Sequence, residues 1–320
     1  MIARRAALML LATPALARAQ AFPVRPLRLI IPFTAGGSND IVGRIVAEGM
    51  AARLGQPVVV ENRGGAGGIL GNDIVAKAPP DGHTLLLAGS GSFTISSLVH
   101  PRIPYDPVNG FAAIGYMGAA PNVIAIDPRV PVRNLAELRE FGRAAQPPMT
   151  FASPGAGTTA HALGAMIALT LGFEIVFIHY RGTAPALTDV VAGRVQMITN
   201  AAAPFLPFLQ AGTLRALAVA GRQRASILPD LSTSFEQGFP ELDSATWYGL
   251  LAPAGTPPEA IQRLHAALNA TLEDPAVRPR LVENGVEVET SPSPADFARF
   301  LVTERERWGA IVRRANLRVE

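Results

Sequence analysis

Ile31-Pro32-Phe33-Thr34-Ala35-Gly36-Gly37-Ser38-Asn39-Asp40 is the stretch that decides the fold. Before it lies Leu27–Ile31, a short apolar run of the kind that forms a buried strand. After it, Ile41, Val42, Ile45, Val46 and Met50 share one face of a helix. Ser38 or Asn39 is placed to cap that helix and Gly55 to end it. A Gly-Gly loop therefore joins a strand end to a helix start. Such a loop turns unpaired backbone N–H groups toward whatever sits above the sheet, and the helix dipole favours an anion there.

The construction occurs twice. Met149–Ala152 reads as a strand, Ser153-Pro154-Gly155-Ala156-Gly157-Thr158-Thr159 as a loop, and Ala160–Leu171 as a helix closed by Gly172. Gly36 and Gly155 are 119 positions apart. The next strands, Val58–Glu61 and Ile175–His179, both run into Arg-Gly, at Arg63-Gly64 and Arg181-Gly182, 118 positions apart. Helices at Ile69–Lys77 and Ala184–Ala192 and strands at Thr84–Ala88 and Val195–Thr199 complete each copy. Two βαβαβ units in near-constant register predict an α/β protein of two similar domains, each with an anion-ready loop. Gly89-Ser90-Gly91-Ser92 follows a strand end, where open α/β sheets bind ligands.

The remaining elements follow by their signals. Asn122–Ile126 reads as the first crossing between domains, and Asn134 with Glu137 as a capped helix start. Leu214–Val219 is a short strand and Ala245–Ala252 a returning one. Thr256-Pro257-Pro258-Glu259, Asp274-Pro275 and Ser293-Pro294-Ala295-Asp296 open three closing helices, with Thr256 at the first cap. The aromatic stripe on the last helix, including Phe297, Phe300 and Trp308, reads as core.

The chain of 320 residues fits about two domains of ~100–200 residues each, and 49% hydrophobic content is enough for two cores. Arg4-Arg5, the apolar run Ala6–Ala17 and small residues around Ala19 and Ala21 form a secretory signal peptide pattern. Cleavage is expected near Ala19 or Ala21. The leader holds Arg4, Arg5 and Arg18 and no acid, so the rest of the chain balances 25 basic against 25 acidic residues. That balance removes the electrostatic case for nucleic acid. The absence of cysteine excludes disulfides, thiol catalysis and a lipid-anchored lipoprotein. A soluble, monomeric periplasmic protein is expected.

Three chemistries compete for the two loops. Gly155-Ala156-Gly157-Thr158-Thr159-Ala160 matches a dinucleotide fingerprint, but that fingerprint wants an acid closing the next strand, where His179 and Tyr180 stand. For a hydrolase, none of Ser38, Ser90, Ser92 and Ser153 lies in G-x-S-x-G, and the five histidines show no paired metal spacing. A solute-binding protein accounts for two similar lobes, an export signal and no catalytic cluster. Backbone N–H groups of each loop would hold an anion, assisted by the Ser38, Thr158 and Thr159 hydroxyls.

The motifs resemble those of the Bug-type periplasmic substrate-binding receptors of tripartite tricarboxylate transporters. The matching pieces are Pro32-Phe33-x-x-Gly36-Gly37 with Asp40, Glu61-Asn62-Arg63 with Gly65-Ala66-Gly67-Gly68, and Pro80-Asp81-Gly82-x-Thr84. Tyr105-Asp106-Pro107-Val108, Ser153-x-Gly155-x-Gly157-Thr158, Tyr180 through Asp189 and Trp247-x-Gly249 through Pro253 follow in order. The resemblance implies a Venus-flytrap fold, with lobes at 22–123 plus 248–320 and at 124–247 joined by two crossing strands. It implies a small organic carboxylate held between Phe33–Asp40 and Ser153–His161, no cofactor, and a two-subunit inner-membrane permease as partner. Tyr180, Arg181, Gly182, Ser90 and Asn200 are secondary site candidates. Arg181 is open to two roles, carboxylate partner or structural ion pair. Asn200 stands where the family commonly has Asp, which predicts tolerance of a neutral polar or second anionic group at the far end of the pocket. An exported α/β enzyme acting on a carboxylate and a ligand sensor for a signalling partner are the alternative readings.

Overall fold

The computed structural model describes residues 22–319. The expected leader and its cleavage site lie outside them. Among the described residues, no helix is long and apolar enough to cross a membrane.

The first unit runs β1 (Leu27–Ile31), α1 (Ser38–Leu54), β2 (Val58–Asn62), α2 (Ile69–Ala76) and β3 (Thr84–Gly89). A π-helical turn, Ser90–Ile95, and the short α3 (Ser96–Val99) follow. β4 (Phe111–Ile126) and α4 (Leu135–Ala144) lead into the second unit. That unit is β5 (Met149–Ser153), α5 (Thr159–Leu171), β6 (Ile175–His179), α6 (Thr183–Val191) and β7 (Met197–Ala201). α7 (Leu206–Gln210), β8 (Arg215–Ala220), β9 (Ala245–Pro253), α8 (Pro258–Leu272), α9 (Arg278–Glu283) and α10 (Pro294–Arg314) complete the chain.

The sheet order is β2-β1-β3-β9-β4-β7-β5-β6, with β8 beside β4. Within each unit the strands are parallel, β1 flanked by β2 and β3, and β5 by β6 and β7. The repeat read from the sequence is therefore a repeat of topology, and the fold is the two-lobed α/β type. Central strands β1 and β3 are nearly continuous apolar runs because helices cover both their faces. Gly55 and Gly172 end α1 and α5 in the left-handed conformation, at φ 69° and 71°, as read. Asn134 and Ser293 cap α4 and α10 as expected.

Four local expectations need correction. Gly37, not Ser38 or Asn39, is the cap of α1, because Gly37 is the last extended residue, at φ −89° and ψ 170°, and Ser38 is already helical. Pro257 rather than Thr256 precedes α8, since the Thr256 hydroxyl bonds back to Pro253 O at 2.8 Å. α9 starts at Arg278, after a turn built on Asp274. The first crossing strand is far longer than Asn122–Ile126. β4 pairs with β9 from Phe111 to Pro121, then with β7 and β8 from Asn122 to Ile126. At that change of partner Asn122 is fully buried, donating to Ser244 Oγ at 2.9 Å and accepting from Thr246 Oγ1 at 3.0 Å.

α10 spans two cores. Phe297, near its start, packs with Ile30, Leu86 and Trp247, whereas Trp308 and Val312 pack with Phe151 and Leu163. Phe297 lies edge-on to the Trp247 ring at 5.9 Å, and Gly249 beneath it leaves no room for a Cβ. Phe297→Ala is expected to cost about 3–5 kcal/mol through the cavity left behind. Urea unfolding would measure it; a loss under about 1 kcal/mol would contradict this packing.

Candidate functional site

The carboxyl ends of β1, β3, β5 and β7 meet around one narrow cavity. The β1–α1 loop contributes Phe33, Thr34, Gly37 and Asn39 to its wall. The end of β3 contributes Gly89, Gly91 and Ser92, and the β5–α5 loop contributes Pro154, Thr158, Thr159 and Ala160. Thr183, Asn200 and Thr246 close it. No ionisable side chain lines this cavity among the described residues.

Two helices begin at this cavity, and their first turns leave amides open. In α1, the Asp40 and Ile41 N–H groups turn back to Gly37 O at 3.0 and 3.1 Å. In α5, Ala162 N bonds Thr158 O at 3.0 Å and His161 N bonds Thr158 Oγ1 at 3.3 Å. The amides of Ser38 and Asn39, and of Thr159 and Ala160, have no acceptor among the described residues. Thr34 Oγ1, Asn39 Oδ1 and Ser92 Oγ, all on wall residues, are likewise buried without a partner. Buried polar groups ordinarily have partners, so this concentration at one cavity points to a ligand.

The cleft is closed. The Thr159 hydroxyl donates to Ser90 Oγ at 3.3 Å, and the Ser38 hydroxyl to Asn200 Oδ1 at 3.5 Å. Gly67 lies so close to Ala156 O, and Gly182 to the Thr34 hydroxyl, that a Cβ at either glycine would collide. Both glycines have positive φ, 64° and 140°.

The structure divides the expected site residues into three groups. Phe33, Thr34, Gly37, Asn39, Thr158, Thr159 and Asn200 line the inner cavity. Gly155, Ala156, Tyr180 and Arg181 line an adjoining outer cavity, which shares Phe33 and Pro154 with the inner one. The remainder build the loops. Gly36 N donates to Asp40 Oδ2 at 3.0 Å, and Asp40 Oδ1 also accepts from Arg44 and Asn62, each at 3.0 Å. Burial opposes ionisation of Asp40, but Arg44, the Gly36 amide and Asn62 together hold its carboxyl below the usual range. Ser153 donates to Gly155 O at 2.7 Å, and Ser90 donates to Ala245 O at 3.2 Å. Ala35 is exposed, and Gly157 donates to His161 Nδ1 at 3.1 Å.

The expected hydroxyl donors need the same correction. Those of Ser38 and Thr159 go to partners across the cleft, and that of Thr158 donates to Gly155 O at 2.8 Å while it caps α5. Thr34 and Ser92 supply the unpartnered hydroxyls instead. Thr183 and Thr246 are wall residues the sequence did not single out as ligand contacts. Each belongs to a longer run, and only the meeting of α6 and β9 with α1 brings them to the wall. Arg181 forms no ion pair and no side-chain hydrogen bond among the described residues, so its structural ion-pair role is not seen.

A closed cleft between two α/β units, walled by two helix starts, defines a two-lobed solute-binding protein. The comparisons agree. The model of the tripartite tricarboxylate transporter family receptor matches residues 42–317, and this chain belongs to that family. It is 33% identical to the protein BugT of Bordetella pertussis over 303 residues, 94% of this chain and 93% of that protein. The structure of the periplasmic binding protein BugD superposes with a TM-score of 0.89 at 33% identity, covering 93% of this chain and all of that one. MatC of Rhodopseudomonas palustris, solved with bound malate, superposes at 0.86 with 31% identity, covering 91% of this chain and 100% of that one.

His161 sits behind the second loop with its ring 4.8 Å from Phe177 and 4.7 Å from His179. Burial first, then the neighbouring His179 and His100, push its pKa down to about 4. The ring is neutral at pH 7, with Nδ1 accepting from Gly157 N. Free histidine titrates near 6.5, so between pH 6.5 and 4 the unfolded chain binds more protons than the folded one. Stability from the neutral ring is complete above pH 6.5 and is lost as pH falls through about 4, by up to ~3 kcal/mol. A falling unfolding midpoint over that range, flattened in His161→Gln, is the expected result. An identical slope in the variant would contradict it.

Proposed function

We propose that this protein receives a small organic carboxylate in the inner cavity and releases it unchanged to a membrane permease. The observation that carries this reading is the set of open amides at the starts of α1 and α5, those of Asn39, Thr159 and Ala160 on wall residues of a cavity with no cationic side chain among the described residues. Neutral donors converging from two helix N-termini suit a single carboxylate, which accepts several hydrogen bonds at once. The malate bound to MatC supports the ligand class. The lack of any His, Asp, Glu, Lys or Arg in the wall, among the described residues, supports binding without catalysis.

In this reading the lobes are 22–123 with 248–320, and 124–247, which the change of β4 partners between Pro121 and Asn122 supports. The protein acts in the periplasm as a monomer, after loss of residues 1–21. A two-subunit inner-membrane permease accepts the ligand, in keeping with the family's name.

A thermal-unfolding screen against carboxylates and their neutral amide analogues tests the reading. A ligand at 100 times its Kd adds ~2.7 kcal/mol, a rise of several degrees at about 2–4 °C per kcal/mol. The expected result is a rise with carboxylates alone, recovered intact afterwards. No rise with any carboxylate, in ligand-free folded protein, or chemical conversion of the one that binds, would overturn it.

Asn200 gives a sharper check. Its Nδ2 donates to Thr183 Oγ1 at 2.7 Å and its Oδ1 accepts from Ala201 N at 2.9 Å. Asn200→Asp keeps the acceptor but adds a negative charge to the wall. Affinity for ligands with a second anionic group is expected to fall about tenfold or more relative to monocarboxylates, and calorimetric titration would show it. Unchanged affinity for every ligand would mean that Asn200 does not set which distal group is tolerated.

A further inference from the structure

We propose that Tyr248 sets the ligand affinity of this receptor without touching the ligand: its buried hydroxyl depends on Ser38, and closure of the cleft turns Ser38 away to Asn200. This rests on the receptor reading of the inner cavity and extends it to the energy of closing.

Tyr248 lies on β9, where it pairs with Gly89 of β3 and Gly118 of β4. Its side chain is fully buried in the core that holds Ile31, Val42, Ile45 and Leu87, so it packs in the same unit as α1. It is not a wall residue of the inner cavity. Its hydroxyl is sealed from solvent and has no hydrogen-bond partner among the described residues. Burial pushes the pKa of that hydroxyl up to about 12, and the neighbouring Ser38 hydroxyl pulls it back. Ser38, at the start of α1, is itself buried and donates instead to Asn200 Oδ1 across the cleft, at 3.5 Å.

The two claims on Ser38 are unequal. Asn200 does not need it. Asn200 Oδ1 also accepts from Ala201 N at 2.9 Å, and Nδ2 donates to Thr183 Oγ1 at 2.7 Å, both within the second unit. Tyr248 has no substitute among the described residues. When the units separate, Asn200 keeps both of those bonds, and Ser38 is freed beside Tyr248. A serine hydroxyl rotates about one bond and can then pair with the tyrosine. Closing the cleft therefore strips a buried hydroxyl of its partner, which costs more than an ordinary hydrogen bond returns. The 3.5 Å bond to Asn200 is too long to offset that loss. Tyr248 thus holds the free receptor toward the open form. Ligand binding needs the closed form, so affinity falls in proportion.

Tyr248→Phe removes the hydroxyl and keeps the ring. Calorimetric titration of wild type and variant with malate, succinate, adipate and benzoate tests the proposal. Every acid that binds wild type is expected to bind Tyr248→Phe at least about fivefold more tightly. In a Ser38→Ala background the tyrosine lacks its partner in both forms. There the same substitution should change affinity by less than about twofold. Equal or weaker binding by folded Tyr248→Phe protein, or as large a gain in the Ser38→Ala background, overturns the proposal. If none of the four acids binds wild type, the carboxylate reading falls, and small-angle scattering of the ligand-free proteins decides this one. A smaller radius of gyration in Tyr248→Phe than in wild type upholds it, and equal radii overturn it.

Discussion

A backbone amide taken out of water has to find an acceptor, and this molecule closes a cleft over two helix starts whose first two amides each lack one among the described residues. Two helices, α1 and α5, end their chains of hydrogen bonds at the same cavity, from opposite lobes. Their caps are spent locally: Gly37 O and Thr158 serve the third and fourth amides and leave the first two open. The unpartnered Thr34 and Ser92 hydroxyls add to the same deficit. An anion is the natural complement, because it accepts several bonds and meets two helix dipoles in favourable orientation. The loops around the site serve this geometry. Asp40, Asn62 and Ser153 hold the loop backbones, and the glycines let the two lobes approach without a Cβ between them.

Bringing the lobes together needs a connection that can bend without breaking pairing. β4 and β9 supply it. β4 gives up β9 at Pro121, which has no N–H to donate, and takes β7 and β8 from Asn122 onward. Asn122, Ser244 and Thr246 form a buried polar network at that point, fully satisfied, and Thr246 also reaches the inner cavity. α10 ties the arrangement from behind, with Phe297 in one core and Trp308 in another. The cavity wall and the crossing thus share a residue, Thr246.

Much of this was legible in the chain. Parallel strands covered by helices are continuous apolar runs, and both central strands read that way. Gly55 and Gly172 mark helix ends because few other residues adopt a left-handed backbone at low cost. The offset of near 119 between two strand–loop–helix units exposed the repeat, and the order of β2-β1-β3 and β6-β5-β7 bears it out. The long first half of β4 was not legible. Its run of Gly, Ala and Pro has weak strand character, and pairing with the distant β9 holds it extended.

The sequence by itself determined the class of fold, the two loops and the kind of group they present, because these follow from local chain chemistry: strand end, glycine, helix start. It named the residues of those loops but could not divide them. Which side chains face the cavity and which hold the loop depends on partners up to 162 positions away, as with Ser38 and Asn200. Hydroxyls that look free in sequence are consumed across the cleft, and Thr183 and Thr246 become wall residues only when their elements dock. The outer cavity takes its lining from both units, Gly64–Gly68 and His100 from one and Pro154–Ala156, Tyr180 and Arg181 from the other, and no local signal encodes a distance between lobes.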